Sequence, residues 1–351
     1  MKVCYFGTYE RGYPRNAQVI SCLRGAGVTV QEVHVSVWQR QQHRWNAGAI
    51  AATRLALAEA RLFARKADDC DALIVGYPGH FDLLAARRAA RGRPVVFNPL
   101  VSLADTFVAD RGRFRAGSLA ARLLETVDRR AFGAADLVIA DTQADADFFA
   151  TLARTPVEVC FVGAEERVFR PGWRRPAEFS VLFVGKLIPL HGLDVVLAAA
   201  QLAPELRFRI VGTGQLEHQL AHRPPNVEHV PWVEYERLPE ELHHAGCALG
   251  IFGTTPKAGR VIPNKAFQAL ACATPLVTAD TPAARELLVD GQSALLVSPG
   301  DPAALADALR RLAADTPLAQ ALSAKGRAAF EAQAGEAVLG VRWRGIIERL
   351  L

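Results

Sequence analysis

No two of the six cysteines stand at C-x-x-C spacing, and nothing in the chain has zinc-knuckle spacing. A disulfide framework and a structural zinc site are therefore not expected. Cys4, Cys22, Cys70, Cys160, Cys247 and Cys272 mostly fall inside apolar runs such as VCYF, EVCFV and GCALGIF, where a free thiol packs as a small hydrophobe. That usage predicts a reducing, cytoplasmic setting. Long apolar runs are also missing: none approaches the ~20 residues that span a bilayer. Membrane association, if there is any, is expected to be peripheral, at the inner face of the cell membrane. The opening MKVCYFGTYERGYPRN is a short strand and a polar loop, interrupted too early to read as a signal peptide. No segment concentrates Lys and Arg, and no aromatic RNA-binding signature is present, so nucleic acid is not an expected partner. Charged residues make up only 22% of the chain, which argues against a long disordered tail.

What is present points to two domains. The chain has 351 residues, half of them hydrophobic, enough for two sizeable cores. Its net charge of +5 suits a partner that carries phosphates. Short apolar runs at 3–6, 28–35, 72–76, 94–97, 136–140 and 157–162 read as strands, and segments such as Ala47 to Ala67 have helical spacing between them. Strand–helix–strand alternation of this kind specifies a parallel sheet covered by helices on both faces. Residues 163–180 are polar, carry Pro171 and Pro176, and read as a linker. A second alternating set follows, with strands at 180–185, 207–212, 226–232, 247–252, 275–279 and 293–298. Helical patterns fill the chain from Gly300 to Leu351. The expected fold class is α/β, with a Rossmann-like domain over 1–165, a second over 175–335, and residues 336–351 as a helix that packs back on the first. Ligands of doubly wound sheets bind outside the carboxyl ends of the strands, so two such domains facing a cleft would place a small-molecule site there.

Three strand ends in the second half carry candidate phosphate chemistry. In VLFVGKLIPLHGLD, Gly185 ends a strand and Lys186 follows it at once. Glycine there admits close approach to the backbone, and lysine supplies a point charge; an ordinary strand–turn–helix with a surface lysine reads equally well. In IVGTGQLEHQL, Gly212 and Gly214 form a lone G-x-G that a tight turn explains as well as a ligand does, and without the third glycine and the distal acid of a dinucleotide fingerprint NAD is disfavoured. The third, GIFGTTPKAGRVIPNKAFQALACATPLVT, is the most specific. Pro263 suits the first turn of a helix, and Asn264 and Lys265 fall in that turn, with Arg260 just before it. A helix N-terminus presents free N–H groups and partial positive charge, so a lysine in the first turn runs against the dipole unless an anion sits there. A diphosphate is the natural candidate.

These phrases also carry a resemblance. VLFVGKLIPLHGLD, RIVGTG, NVEHVPWV, AGCALGIF, IPNKAFQALACATPLVTADTPAARELL and DGQSALLVSPGDPAALADAL stand in the order and spacing of the family 4 glycosyltransferases, and VGAEERVFRPG is similar to the phrase joining their two domains. The likeness covers about Val159 to Leu312. It implies the GT-B fold and metal-independent, retaining transfer of a hexose-type sugar from a UDP- or GDP-linked donor, with no cofactor beyond that co-substrate. It places Lys186 on the diphosphate and His191 where the family usually has a second basic residue. It places Arg260 and Gln268 where the family has two glutamates with seven residues between them. Both carboxylates are missing, so Gln268 keeps amide hydrogen bonding for ribose hydroxyls while Arg260 can only donate. The Pro263–Asn264–Lys265 phrase is similar to that of a branch that replaces the first glutamate. Glu286 falls where a family glutamate lies near the nucleotide.

The acceptor, a saccharide or a lipid-linked hydroxyl compound, is assigned to the first half. GTYERGYPRN at 7–16, His80 in GYPGHFD, and Asn98, Ser102 and Asp105 in FNPLVSLADTF follow strands there, with His80 and Asp105 the expected acceptor contacts and capping or packing their ordinary alternative. Asp145 and Asp147 form a D-x-D, but acidic residues favour helix starts, so no metal is assigned to them. The arginine-rich stretch at 111–132 has the composition of a surface helix facing either solvent or an anionic membrane. Polysaccharide or lipid-linked oligosaccharide assembly is the setting such enzymes imply by analogy alone. Two rival functions share the architecture: a sugar-nucleotide epimerase and a non-catalytic nucleotide-sugar-binding module.

Overall fold

The computed structural model describes residues 1–37 and 49–351. Two compact units divide the chain: Met1–Val108 with Arg113–Val162 and Glu336–Leu351, and Ala109–Gly112 with Gly163–Gly335.

The first unit holds β1 (Lys2–Gly7), α1 (Pro14–Gly25), β2 (Thr29–His34), α2 (Ala49–Phe63), β3 (Ala72–Val75), α3 (Leu83–Ala90), β4 (Val95–Phe97), α4 (Leu119–Gly133), β5 (Leu137–Ala140), α5 (Gln143–Ala150) and β6 (Val157–Val159). Its strands form one parallel sheet in the order β2-β1-β3-β4-β5-β6. The middle strands are uninterrupted apolar runs because both faces are covered; Val3, Cys4, Tyr5 and Phe6 and all of β3 are fully buried. Edge strands β2 and β6 stay partly exposed and carry Gln31, Glu32 and Glu158. Of the helix expected over Ala47 to Ala67, Ala47 and Gly48 lie outside the described residues, and the helix ends at Phe63. Asp145 and Asp147 lie in α5, where Thr142 caps the Asp145 N–H and Asp147 accepts from the Gln143 side chain at 2.7 Å.

Arg15, at the start of α1, is completely buried and ties this sheet together. It donates to Asn98 Oδ1 at 2.9 and 2.8 Å and to the carbonyls of Cys160 and Phe161, both at 3.1 Å, and it pairs with Asp141 at 3.0 Å. Its guanidinium also lies 5.9 Å from the ring centre of Trp343. Trp343 belongs to the last helix, Glu336–Glu348, which lies against α1.

The second unit holds β7 (Ser180–Val184), α6 (Leu193–Leu202), β8 (Arg207–Val211), β9 (Val227–Val230), α7 (Leu238–His244), β10 (Cys247–Leu249), α8 (Asn264–Ala271), β11 (Leu276–Ala279), α9 (Pro282–Arg285), β12 (Leu295–Val297), α10 (Pro302–Ala314) and α11 (Thr316–Gln333); the last helix, Glu336–Glu348, is α12. Its sheet is also parallel, in the order β12-β11-β10-β7-β8-β9. This is the dinucleotide-fold order, and the strand sequence reverses between β7 and β10. Side-chain caps begin α9, α10 and α11, from Thr281, Asp301 and Asp315, each followed by proline in the first turn. β10 stops at Leu249, three residues short of the apolar run that marks it in the sequence. Past Gly250 the Ile251 N–H bonds to the Thr278 hydroxyl at 3.2 Å, while its carbonyl still accepts from the Ala279 N–H at 3.0 Å.

Candidate functional site

The strand-order reversal of the second unit lies where the sequence places its phosphate chemistry. β7 ends in Gly185 and Lys186, and a 3-10 turn at Pro189–His191 leads into α6. Gly212, at the end of β8, has φ 142°, and a Cβ there would lie 1.9 Å from the Gly185 carbonyl oxygen. A Cβ at Gly214 would lie 2.6 Å from the Leu187 carbonyl oxygen. These two glycines therefore exist to let the β8 loop press on the β7 loop backbone.

Pro263 is the N-cap of α8 (φ −72°, ψ 149°), one position earlier than a first helical residue, with Asn264 and Lys265 following it into the first turn. Lys265 is 8% exposed. Its Nζ has no hydrogen-bond partner among the described residues. It lies 3.4 Å from the ring centre of Phe183 on β7, and 3.6 Å from where a Cβ on Gly185 would stand. Burial alone drives its pKa well below the ordinary lysine value. A cation–π contact offsets part of the desolvation of an ammonium and supplies no acceptor oxygen.

His191 is half-buried and bonds through Nδ1 to the Lys186 carbonyl at 2.5 Å, so that nitrogen carries the proton. Burial first, and then the charge of Lys265, push its pKa well below the usual value; Arg111 and Lys186 act in the same direction. The ring is neutral and positions the Lys186 backbone. Lys186 itself is exposed, and Arg260 is half-buried on the loop before α8. That loop is braced by Ala283 N–H donating to the Gly259 carbonyl at 3.3 Å. Glu286 caps the C-terminus of α9 and is half-buried.

Gln268 follows Lys265 by three positions on α8, so both share one helical face. Beside it stands a pair that the sequence reading passed over. Tyr235 hydrogen-bonds Gln268, and its hydroxyl donates to Glu165 Oε1 at 3.1 Å. Glu165 is 5% exposed and also pairs with Arg167 at 2.8 Å. The linker phrase VGAEERVF thus supplies a carboxylate that reaches Gln268 through Tyr235. Linker composition concealed it.

The first unit treats its two candidates differently. His80 is enclosed, its side chain 1% exposed, between the rings of Phe97 and Phe132 at 5.2 and 6.1 Å. Burial lowers its pKa, and Nδ1 donates to the Pro78 carbonyl. It packs; it does not reach solvent. Asp105 is half-buried at the head of a π-helical turn, Asp105–Asp110, where its N–H donates to Ser102 Oγ at 3.0 Å. The buried Asp128 organises this turn, accepting from Ser102 Oγ at 2.6 Å and from the Leu103 and Ala104 N–H groups at 2.9 Å each. In the loop at 7–16, Thr8, Tyr9 and Asn16 spend their polar groups on Asp82, Glu32 and Tyr77, which fixes the loop. Asp82, unremarked in the sequence, shares a hydrogen bond with Glu59 of α2, and burial holds both carboxyls above their usual range.

Among the described residues no helix is long and apolar enough to cross a membrane, and no group of three or more His, Cys, Asp or Glu gathers as a metal site.

Residues 178–315 match the family model described as Glycosyl transferases group 1. The chain is 33% identical over 216 residues to a D-inositol 3-phosphate glycosyltransferase of Nocardioides, a match covering 51% of this chain and 46% of that one. It spans about half the length of the curated relatives it matches. Among solved structures it is similar to a sucrose-phosphate synthase from Thermosynechococcus elongatus, with a TM-score of 0.75, 15% identity, and coverage of 99% and 98% of the two chains. It is also similar to Anabaena HepE in complex with UDP, with a TM-score of 0.69, 15% identity, and coverage of 99% and 100%. The fold is GT-B, two Rossmann-like α/β units.

Proposed function

We propose that this chain, whose second unit is a group 1 glycosyltransferase domain, moves a hexose-type sugar from a nucleoside diphosphate donor to a hydroxyl acceptor with retention at the anomeric carbon. One observation carries the reading: a buried lysine, Lys265, at the first turn of α8, whose Nζ has no hydrogen-bond acceptor among the described residues. An isolated buried charge is expensive, and a protein that keeps one there has an anion to receive it. The diphosphate supplies that anion. The similar HepE structure is a complex with UDP, which supports a nucleoside diphosphate as the ligand class.

The chemistry follows from charge. As the bond between the anomeric carbon and the diphosphate oxygen breaks, negative charge grows on the leaving oxygen and positive charge on the sugar. Fixed cations and N–H dipoles aimed at the leaving oxygen stabilise that separation more than they stabilise the bound donor. Lys265, the N–H groups at the start of α8, Lys186 and Arg260 take this role. The acceptor hydroxyl attacks from the leaving-group face and passes its proton to a departing phosphate oxygen, so no protein nucleophile or metal takes part. Gln268, with Tyr235 and Glu165 beside it, serves the ribose or sugar hydroxyls, and Glu286 lies nearer the nucleotide. Asp105 remains the acceptor-side residue; the enclosed His80 is withdrawn from that role. The acceptor is a saccharide or lipid-linked hydroxyl compound, and the setting is the cytoplasm, including the inner membrane surface.

Lys265→Met tests the site. It keeps the packing on Phe183 and removes the charge. Truncating one partner of a buried charge pair costs about 2–5 kcal/mol, so UDP or GDP affinity measured by calorimetry should fall roughly thirtyfold or more. Unchanged affinity for both nucleotides in this variant rejects the assignment. Interconversion of the donor sugar without transfer would favour an epimerase instead, and tight binding with no turnover would favour a binding module.

A further inference from the structure

Four residues from the first half of the sequence belong to the second unit. Ala109–Gly112 groups with residues 163–335 and not with the chain on either side of it. Two hydrogen bonds anchor the segment. Asp110 Oδ1 accepts from Thr255 Oγ1 at 3.4 Å, on the loop after β10. The Arg111 carbonyl accepts from Gln215 Nε2 at 3.1 Å, on the loop after β8. The sheet order here is β10-β7-β8, so the two anchors stand on either side of β7. The segment therefore touches the loops that follow both strands flanking β7.

Arg111 brings a half-buried guanidinium to that segment. It is near enough to act on the His191 ring, which it disfavours as a cation together with Lys265 and Lys186. Basic side chains from three segments, Lys265, Lys186 and Arg111, thus all bear on one imidazole. Asp110, the acid in the same segment, is directed to Thr255. Basic side chains that converge on one loop suit an anionic ligand.

We infer that Arg111 is a phosphate-binding residue of the donor site, contributed by the segment that follows the π-helical turn and held in place by Gln215 and Asp110. This rests on the reading of the donor site given above. Guanidinium suits the task better than ammonium, because its planar fork donates two parallel hydrogen bonds to one phosphate. It also accounts for His191. A neutral imidazole leaves the β7 loop one cation short of the pattern that the loop resembles, and Arg111 restores the charge from a distant part of the chain.

The test uses the full chain and isothermal titration with UDP, GDP and inorganic pyrophosphate, with uridine and guanosine as uncharged controls. Arg111→Gln should weaken the nucleoside diphosphate that the wild-type protein binds, and pyrophosphate, by about tenfold or more, while nucleoside binding stays unchanged. Arg111→Lys should recover part of the loss. The difference between wild type and Arg111→Gln should narrow as salt is raised. Unchanged diphosphate affinity in both variants, with Lys265→Met impaired, overturns the role of Arg111 and leaves the donor site standing. A loss that is equal for nucleoside and nucleotide, or that follows a collapsed thermal melt in both variants, makes Arg111 structural and also overturns it. A wild-type protein that binds none of the three anions rejects the donor site itself.

Discussion

At the scale of single residues, this protein places ionisable groups against their ordinary preferences. Lys265 is buried without an acid, and Glu59 and Asp82 are buried against each other. The pH dependences have opposite signs. A lysine held below its usual 10.5 takes its proton more readily when unfolded, so its burial costs stability progressively as pH falls below that value. A carboxyl held above its usual 4.5 keeps its proton in the folded state, so stability is lost as pH rises from there toward the raised value. Glu59→Gln should therefore flatten the fall in the first unit's stability through the neutral range, read as urea midpoints at a series of pH values; an unaltered slope would show that the pair does not share a proton. Arg15 is a third such case. Removing it leaves Asp141 buried without its cation, and Arg15→Ala should cost about 3–5 kcal/mol in chemical denaturation, well beyond a surface arginine.

At the scale of elements, the strands were legible because buried parallel strands are written as short apolar runs between turn residues. All twelve expected runs contain a strand. Their ends were less legible. The run at 247–252 overstates β10 because Thr278, twenty-seven residues on, takes over the Ile251 N–H. Lys265 could be singled out because its conflict with the helix dipole is local, and the sequence displays it. Arg111, Asp82, Glu59 and Glu165 could not. Each takes its meaning from a partner far along the chain, and nothing in the spacing of RGRF, HFDLL or GAEER names that partner. His80 shows the converse: a histidine after a strand looks available until two phenylalanines enclose it. One contact between elements gives a sharp expectation. A Cβ on Gly340 of α12 would come within 2.5 Å of the Cys22 carbonyl on α1, so Gly340→Val must pry these helices apart. A loss of about 1–3 kcal/mol is expected for overpacking, measured by chemical denaturation, whereas the same change at the open Gly133 of α4 lacks that clash.

At the scale of the whole molecule, the two units divide the polar work. The second carries the cations proposed for the donor phosphates, and the first spends buried polar groups on holding its own loops. The division in space does not follow the chain: Ala109–Gly112 and residues 336–351 each sit with the unit from which they are separated in sequence. The last helix matters more to the first unit than its position suggests, because Trp343, 1% exposed, fills the space beside α1 and Arg15. Crossing from unit to unit in this way also fixes an order of events during synthesis. The amino-terminal sheet leaves the ribosome early, yet the tryptophan that completes its flank is translated only after every strand of the second unit. Until then the side of α1 that Trp343 covers stays open to solvent.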